Sequence, residues 1–310
     1  MRRDLKKEPL RGIIPPMATL LLDDEHLDVA GTAQLIEHLI EGGVHGIFIL
    51  GTTGECTNIS YKLRRELITL TCEKVDGRLP VLVGVTDTSL EESLALSQLS
   101  KEKGAAAVVA APPYYYGLGE NELITYFNKL ADSLPLPLYL YNMPSHTKTM
   151  LTQKTVMALS KHPNVYGLKD SSGNAVFFNA MIYAFRNRPE FTLLVGPEEM
   201  MASTVLMGGH GGVSGGANMF PRLFVDLFYA AEKGDLKEVS RLQEMVMEIA
   251  DEIYAVGSYG SSFLKGLKAS MAALGIGNGY LATPLSAFEN EQLELIGKKL
   301  KSLSAYRHYS

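Results

Sequence analysis

Three side-chain types stand at the ends of short apolar runs, where buried strands would deliver them to one place. Lys169 closes the run Val165-Tyr166-Gly167-Leu168. A lysine held at such an end is partly desolvated, which favours the neutral amine over the ammonium. A neutral amine condenses with a carbonyl to a Schiff base, which then stabilises a carbanion at the neighbouring carbon. Position alone leaves an equal alternative, a lysine that snorkels to solvent or pairs with Asp170. Tyr141 ends the preceding run, where its phenol can carry protons during imine formation and carbon–carbon bond making or breaking. A core tyrosine with a satisfied hydroxyl is the other reading. Gly51-Thr52-Thr53-Gly54-Glu55 offers backbone N–H groups and two hydroxyls at a tight turn, a nest suited to carboxylate or phosphate oxygens.

Other positions carry less. The run 208–212, Gly-Gly-His-Gly-Gly, either cradles a phosphate or permits a tight helix-to-strand turn. The seven histidines show no ligand spacing, so no metal and no cofactor are expected.

These residues need a scaffold that gathers strand ends. Apolar runs recur at 12–21, 44–50, 80–86, 105–113, 137–142, 165–170, 191–196 and 211–217. Most begin roughly 25–35 residues apart, the length of one strand–helix unit. Their near-continuous Val, Ile, Leu and Ala content marks strands buried on both faces. The segments between have helical spacing: within 29–43, Leu35, Leu39 and Ile40 share a face, and Gly42-Gly43 ends the helix. Eight such units predict a TIM (β/α)8 barrel, whose active site lies at the C-terminal ends of its strands. An open doubly wound sheet is disfavoured because no G-x-G-x-x-G follows the first run. Beyond about residue 220 the strand signals stop and three or four helices follow. The expected division is a barrel over 1–234 and a small C-terminal helical domain over 235–310.

Composition excludes several classes. The chain has 310 residues, 46% of them hydrophobic and 20% charged, the balance of an ordinary globular protein. Its net charge of −5 disfavours nucleic acid as a partner. Cys56 and Cys72 suffice for neither a disulfide framework nor a metal site. The basic opening segment has no apolar stretch behind it, and no run reaches the ~18 residues of a membrane span. A cytoplasmic protein with no membrane partner is expected.

With these residues in place, a resemblance is specific. The motifs GTTGE (51–55), PYY (113–115), YNMPS (141–145), GLKD (167–170) and GGHGGVSGGAN (208–218) occur in order at the expected strand ends. Together they make the chain resemble the dihydrodipicolinate synthase / N-acetylneuraminate lyase family of class I Schiff-base aldolases, from about residue 10 to the C-terminal helices. The resemblance implies a barrel with C-terminal helices, assembled as a homotetramer built from a dimer of dimers. It implies that Lys169 forms the Schiff base with pyruvate or another 2-keto acid and that Tyr141 is the proton-transferring phenol. Thr52 would link that phenol to a tyrosine from a neighbouring subunit, Tyr115, with Tyr114 packing at the same contact. Thr53 would hold the substrate carboxylate, and Val213 would line the pocket through its main chain.

Two positions bear on the substrate. Members that resemble true dihydrodipicolinate synthases carry an arginine five residues after the tyrosine, where this chain has His146. A guanidinium grips a second carboxylate with two parallel bonds, whereas a histidine is largely neutral at pH 7. Lys148, nearby, would restore positive charge at the rim. Glu198 and Glu199 follow strand seven, where the sugar-acid lyases place acceptors for substrate hydroxyls; a charge pair favoured by a helix N-terminus is the alternative. The expected activity is therefore cleavage or condensation of a hydroxylated 2-keto acid, of the 2-keto-3-deoxy sugar acid or 4-hydroxy-2-oxoglutarate type. Dihydrodipicolinate synthase, acting on pyruvate and aspartate semialdehyde, is the alternative, followed by a keto-deoxy sugar acid dehydratase. A catalytically silent keto-acid-binding paralogue would be expected to lack Lys169, Tyr141 or Thr52, and all three are present.

Overall fold

Residues that are apolar at both parities have no face to turn to water, so their strands must be covered on both sides. The computed structural model describes Leu5 and residues 8–309; most of the basic opening segment lies outside the described residues. Ten strands occur among them: β1 (Gly12–Ile13), β2 (Leu21–Asp23), β3 (His26–Leu27), β4 (Ile47–Ile49), β5 (Val81–Gly84), β6 (Ala107–Ala110), β7 (Leu138–Asn142), β8 (Val165–Asp170), β9 (Thr192–Val195) and β10 (Gly211–Gly212). Eight form one sheet in the order β1-β10-β9-β8-β7-β6-β5-β4, with every pairing parallel. A bridge between Pro16 and Phe48 joins its edges. Phe48 N donates to Pro15 O at 2.9 Å and Met17 N to Phe48 O at 2.8 Å, so the sheet is a closed barrel. The predicted TIM barrel with C-terminal helices is the observed architecture.

Two local features depart from the sequence expectation. The first run is a strand only over Gly12–Ile13, because Pro15 and Pro16 lack the N–H groups that a ladder needs. The chain nevertheless stays beside Phe48 and completes the barrel. Residues 21–27 then form a small antiparallel hairpin, β2 with β3, that the apolar pattern did not announce. The glycine run 208–212 leads into and includes β10, entering the barrel at the end opposite Lys169. There Gly208 and Gly211 take φ of 104° and 146°, and the buried His210 ring accepts from Leu193 N at 3.2 Å. That favours the tight turn over the phosphate cradle.

Helices cap and cover the barrel as the spacing predicts. The helix Val29–Glu41 begins at Asp28, whose side chain accepts from Gly31 N, and buries Leu35, Ile36 and Leu39. Its Ile40, expected on the same face, is only partly buried. After the helix Pro221–Lys233 come Leu236–Ile249, Ser262–Ala273 and Asn290–Ser302. Their buried residues Leu242, Ile249, Leu267 and Ile296 belong to the same continuous apolar cluster as the barrel helices. Among the described residues, no helix is long and apolar enough to cross a membrane.

The barrel seam also depends on one polar side chain. Asn218, fully buried, donates through Nδ2 to Pro16 O at 3.0 Å and Gly215 O at 2.8 Å, and its Oδ1 accepts from Ala18 N at 3.0 Å. Asn218→Ala leaves all three backbone groups without these partners. It is expected to destabilise the fold by roughly 2–4 kcal/mol, read as a shifted urea midpoint.

Candidate active site

Strand parity and register assemble the site. In β7 and β8, Tyr141 stands directly opposite Lys169, and in β9 Leu194 is opposite Lys169 on the other side. Alternation along each strand sends these side chains inward, where Phe48, Leu82, Val109, Tyr139, Tyr141 and Leu194 fill the barrel interior. Above this plug opens a cavity of about 800 Å³. Its lining includes Thr52, Thr53, Tyr114, Tyr141, His146, Lys169, Glu198 and Val213.

Lys169 is 6% exposed. Its Nζ lies 4.1 Å from the centroid of the Tyr141 ring and 5.0 Å from that of Phe48. The alternative pairing with Asp170 is not made: Asp170 points away, accepting from Asn142 Nδ2 at 2.7 Å and from Ser172 Oγ at 2.9 Å. Burial holds the Asp170 carboxyl above the usual carboxylate range. Tyr141 and Thr52 share a hydrogen bond of 3.2 Å. An amine, a phenol and a hydroxyl thus stand in sequence at the floor of the cavity.

The Gly51–Glu55 turn is bracketed by two side-chain residues in left-handed backbone, Leu50 at φ 55° and Glu55 at φ 53°. Glu55 N donates to Thr52 O at 3.0 Å, closing the turn and presenting Thr52 and Thr53 to the cavity. Val213 lies across from it, its own N–H used on Val195 O at 2.8 Å. Tyr115 is the sequence candidate that this cavity does not contain. It is 80% exposed and packs edge-to-face on Tyr116 at 5.1 Å, while Tyr114 lines the cavity.

His146 and Glu198 sit on the rim and wall. His146 Nδ1 lies 3.0 Å from Ser145 Oγ. Partial burial of its ring, and then the Lys148 charge, lower its pKa, so the ring is neutral at pH 7. Lys148 itself donates to Ser145 O at 2.7 Å. Glu198 is buried; its two oxygens accept from Gly216 N and from Tyr254 OH, each at 2.8 Å. Burial pushes its carboxyl up to about 7. Glu199, its neighbour, is exposed and also lines the cavity. Burial likewise raises the Cys56 thiol. Among the described residues no group of three or more His, Cys, Asp or Glu is arranged to hold a metal ion.

A pH dependence follows from Glu198. Its unfolded carboxyl titrates near 4.5 and its folded one at about 7. Between these values the folded state binds more protons, so this group makes stability fall as pH rises through the window. Glu198→Gln removes that slope. Relative to the parent chain, the variant is expected to gain roughly 2–3 kcal/mol between about pH 4.5 and about pH 8, measured by urea unfolding at each pH.

Sequence reasoning missed several parts of the wall. Phe48 supplies the second aromatic face beside Lys169, and its place two residues before the end of the apolar run 44–50 was the available signal. Ser171, two residues past Lys169, lines the cavity with its hydroxyl-bearing side chain. Tyr254, Phe263 and Leu264 reach the cavity from the C-terminal helical region, where no strand-end rule pointed.

Comparison with known proteins gives a consistent picture. Residues 9–303 match the model of the Dihydrodipicolinate synthetase family. The chain is similar to a solved dihydrodipicolinate synthase from the commensal bacterium Bacteroides thetaiotaomicron, at 54% identity and a TM-score of 0.93 over 95% of this chain and 99% of that one. It is also similar to YagE of Escherichia coli strain K12, a candidate 2-dehydro-3-deoxy-D-gluconate aldolase, at 36% identity over 77% of this chain and 80% of that one. The crystal structure of YagE, solved in complex with pyruvate, superposes with a TM-score of 0.90, covering 96% of this chain and 99% of that one. A 4-hydroxy-tetrahydrodipicolinate synthase from Methanoculleus marisnigri is 33% identical over 93% of this chain and 98% of its own length.

Proposed function

The chain belongs to the dihydrodipicolinate synthetase family, and on that premise we propose that it is a class I lyase or aldolase whose Lys169 forms a Schiff base with pyruvate or another 2-keto acid. The observation that carries this reading is the buried Lys169 Nζ lying 4.1 Å over the Tyr141 ring, with the Tyr141 hydroxyl bonded to Thr52. The amine attacks the keto carbon, and loss of water gives the iminium; Tyr141 and Thr52 move the protons this requires. Thr53, through its hydroxyl and backbone N–H, holds the keto acid's carboxylate, and Val213 lines the pocket beside it. In the cleavage direction the C3–C4 bond breaks, its electrons enter the iminium to give an enamine, and the C4 hydroxyl becomes an aldehyde as it loses its proton. Condensation is the reverse.

The substrate favoured is a hydroxylated 2-keto acid of the 2-keto-3-deoxy sugar acid or 4-hydroxy-2-oxoglutarate type. A cavity of about 800 Å³ leaves room for a longer chain than pyruvate. Glu198 and Glu199 supply acceptors for hydroxyls, while the neutral His146 brings no charge for a second carboxylate. Condensation of pyruvate with aspartate semialdehyde is the second reading, favoured by the 54% identity to a dihydrodipicolinate synthase. Dehydration of a keto-deoxy sugar acid through the same imine is the third. In this reading the barrel domain, 1–234, carries the reacting groups, and the helical domain, 235–310, adds Tyr254, Phe263 and Leu264 to the cavity wall. Tyr115, exposed on this chain, completes the site of a neighbouring subunit in a homotetramer, and the enzyme works in the cytoplasm with Cys56 and Cys72 as free thiols.

Comparing kcat/KM for pyruvate release from 2-keto-3-deoxy acids with that for condensation onto aspartate semialdehyde tests the choice of substrate. The account expects the hydroxylated keto acids to be preferred by about 100-fold, the order that one further hydrogen bond from a substrate hydroxyl to a charged acceptor provides in the transition state. A preference for aspartate semialdehyde transfers the assignment to the second reading.

A further inference from the structure

Lys268 lies on the helix Ser262–Ala273, outside the cavity lining, yet its charge is spent on the catalytic turn. Its side chain is 1% exposed and that of its partner Glu55 is 0% exposed. Lys268 Nζ donates to Glu55 Oε1 at 2.6 Å and to Thr19 O at 2.8 Å. The second Glu55 oxygen accepts from Ala282 N at 2.8 Å. A well-packed apolar pair would join this helix to the barrel with a smaller desolvation penalty, so packing alone gives no reason for the charges. What they add is placement. Glu55 ends the Gly51–Glu55 turn in left-handed backbone, a conformation that persists for a side-chain residue only when its surroundings fix it. Thr19, the second acceptor, donates its own hydroxyl to Gly54 O at 2.6 Å. Lys268 therefore grips the turn at two points, one through Glu55 and one through Thr19.

From this geometry we infer that Lys268 is a positioning residue for the active site: through Glu55 and Thr19 it fixes the Gly51–Glu55 turn and so holds Thr52 against Tyr141. Its catalytic consequence rests on the keto-acid reading above, while its effect on the turn does not. The C-terminal helical region is then part of the catalytic apparatus, since the hydroxyl beside Tyr141 keeps its place only while this helix is docked.

The test uses the full chain with Lys268→Met, and also Lys268→Met/Glu55→Gln, because the single variant strands a buried carboxylate and can prevent folding. The double variant removes both charges and keeps an acceptor for Ala282 N. Two readouts are taken on folded protein: amide hydrogen exchange over residues 50–59 without substrate, and deuterium uptake into the pyruvate methyl group in heavy water at saturating pyruvate. The second needs no co-substrate, because imine–enamine exchange alone produces it. Turn amides are expected to exchange about 10-fold faster, and methyl exchange to fall about 10-fold or more. A merely structural role would lower the melting temperature and move neither rate. Turn amides as protected as in the parent chain overturn the inference; where the parent chain exchanges the pyruvate methyl, a variant rate within about twofold of the parent's overturns it as well. A parent chain that is inert to pyruvate, with loosened turn amides in the variant, supports the positioning of the turn and overturns the keto-acid reading instead.

Discussion

Lys169→Ala is expected to lower turnover by at least about 10³-fold while leaving the protein folded. The loss is large because no second amine can take over. Among the described residues lining the cavity, Lys148 is the other lysine, and its Nζ is held on Ser145 O at the exposed rim. The fold survives because Lys169 makes no ion pair with Asp170, whose partners Asn142 and Ser172 are untouched. Removing a buried amine from between two aromatic rings leaves a small space and strands no charge. Circular dichroism and urea unfolding check the fold, and pyruvate release checks the turnover. Activity within about tenfold of the parent chain would remove Lys169 from the mechanism.

Tyr141→Phe carries the second largest effect, a fall in kcat of about 10²–10³-fold. The substitution isolates the hydroxyl. The phenyl ring still packs beside Lys169 and Phe48, so the amine keeps its surroundings. What disappears is the hydroxyl that shares a 3.2 Å bond with Thr52, and with it the route for protons during imine formation and bond cleavage. The imine should still form, more slowly, and the KM should change far less than kcat. Thr52→Val should give a smaller loss, about tenfold, because the phenol remains in place. An unchanged kcat in Tyr141→Phe would assign the proton transfer to another group.

The barrel was legible because its signal is repeated. Eight near-continuous apolar runs at strand–helix spacing allow few other architectures, and the strand ends then pointed to Lys169, Tyr141 and the Gly51–Glu55 turn. Tyr141 and Lys169 were both legible as the ends of successive strands, and the β7–β8 register puts them side by side on one face. The parts that stayed hidden depend on contacts between residues far apart in the chain. Nothing local marks Tyr254 as the donor to Glu198, 56 positions away, or Lys268 as the partner of Glu55, 213 positions away. Both donors sit in the C-terminal helices, where ordinary helical spacing accounts for nearly every residue. The β2–β3 hairpin was missed for a different reason: its strands are two or three residues long, too short for alternation to register. Glu198 was recognised as a cavity carboxylate, but its two internal donors and its raised pKa appear only once the chain is folded.

The central claim is covalent chemistry at one nitrogen. Incubating the protein with pyruvate, reducing with borohydride and reading intact mass and then mapped peptides addresses it directly. The account predicts one reduced pyruvate adduct per chain, located on Lys169 and absent from Lys169→Ala. Failure to trap pyruvate or any longer 2-keto acid, or an adduct that persists in Lys169→Ala, would contradict it.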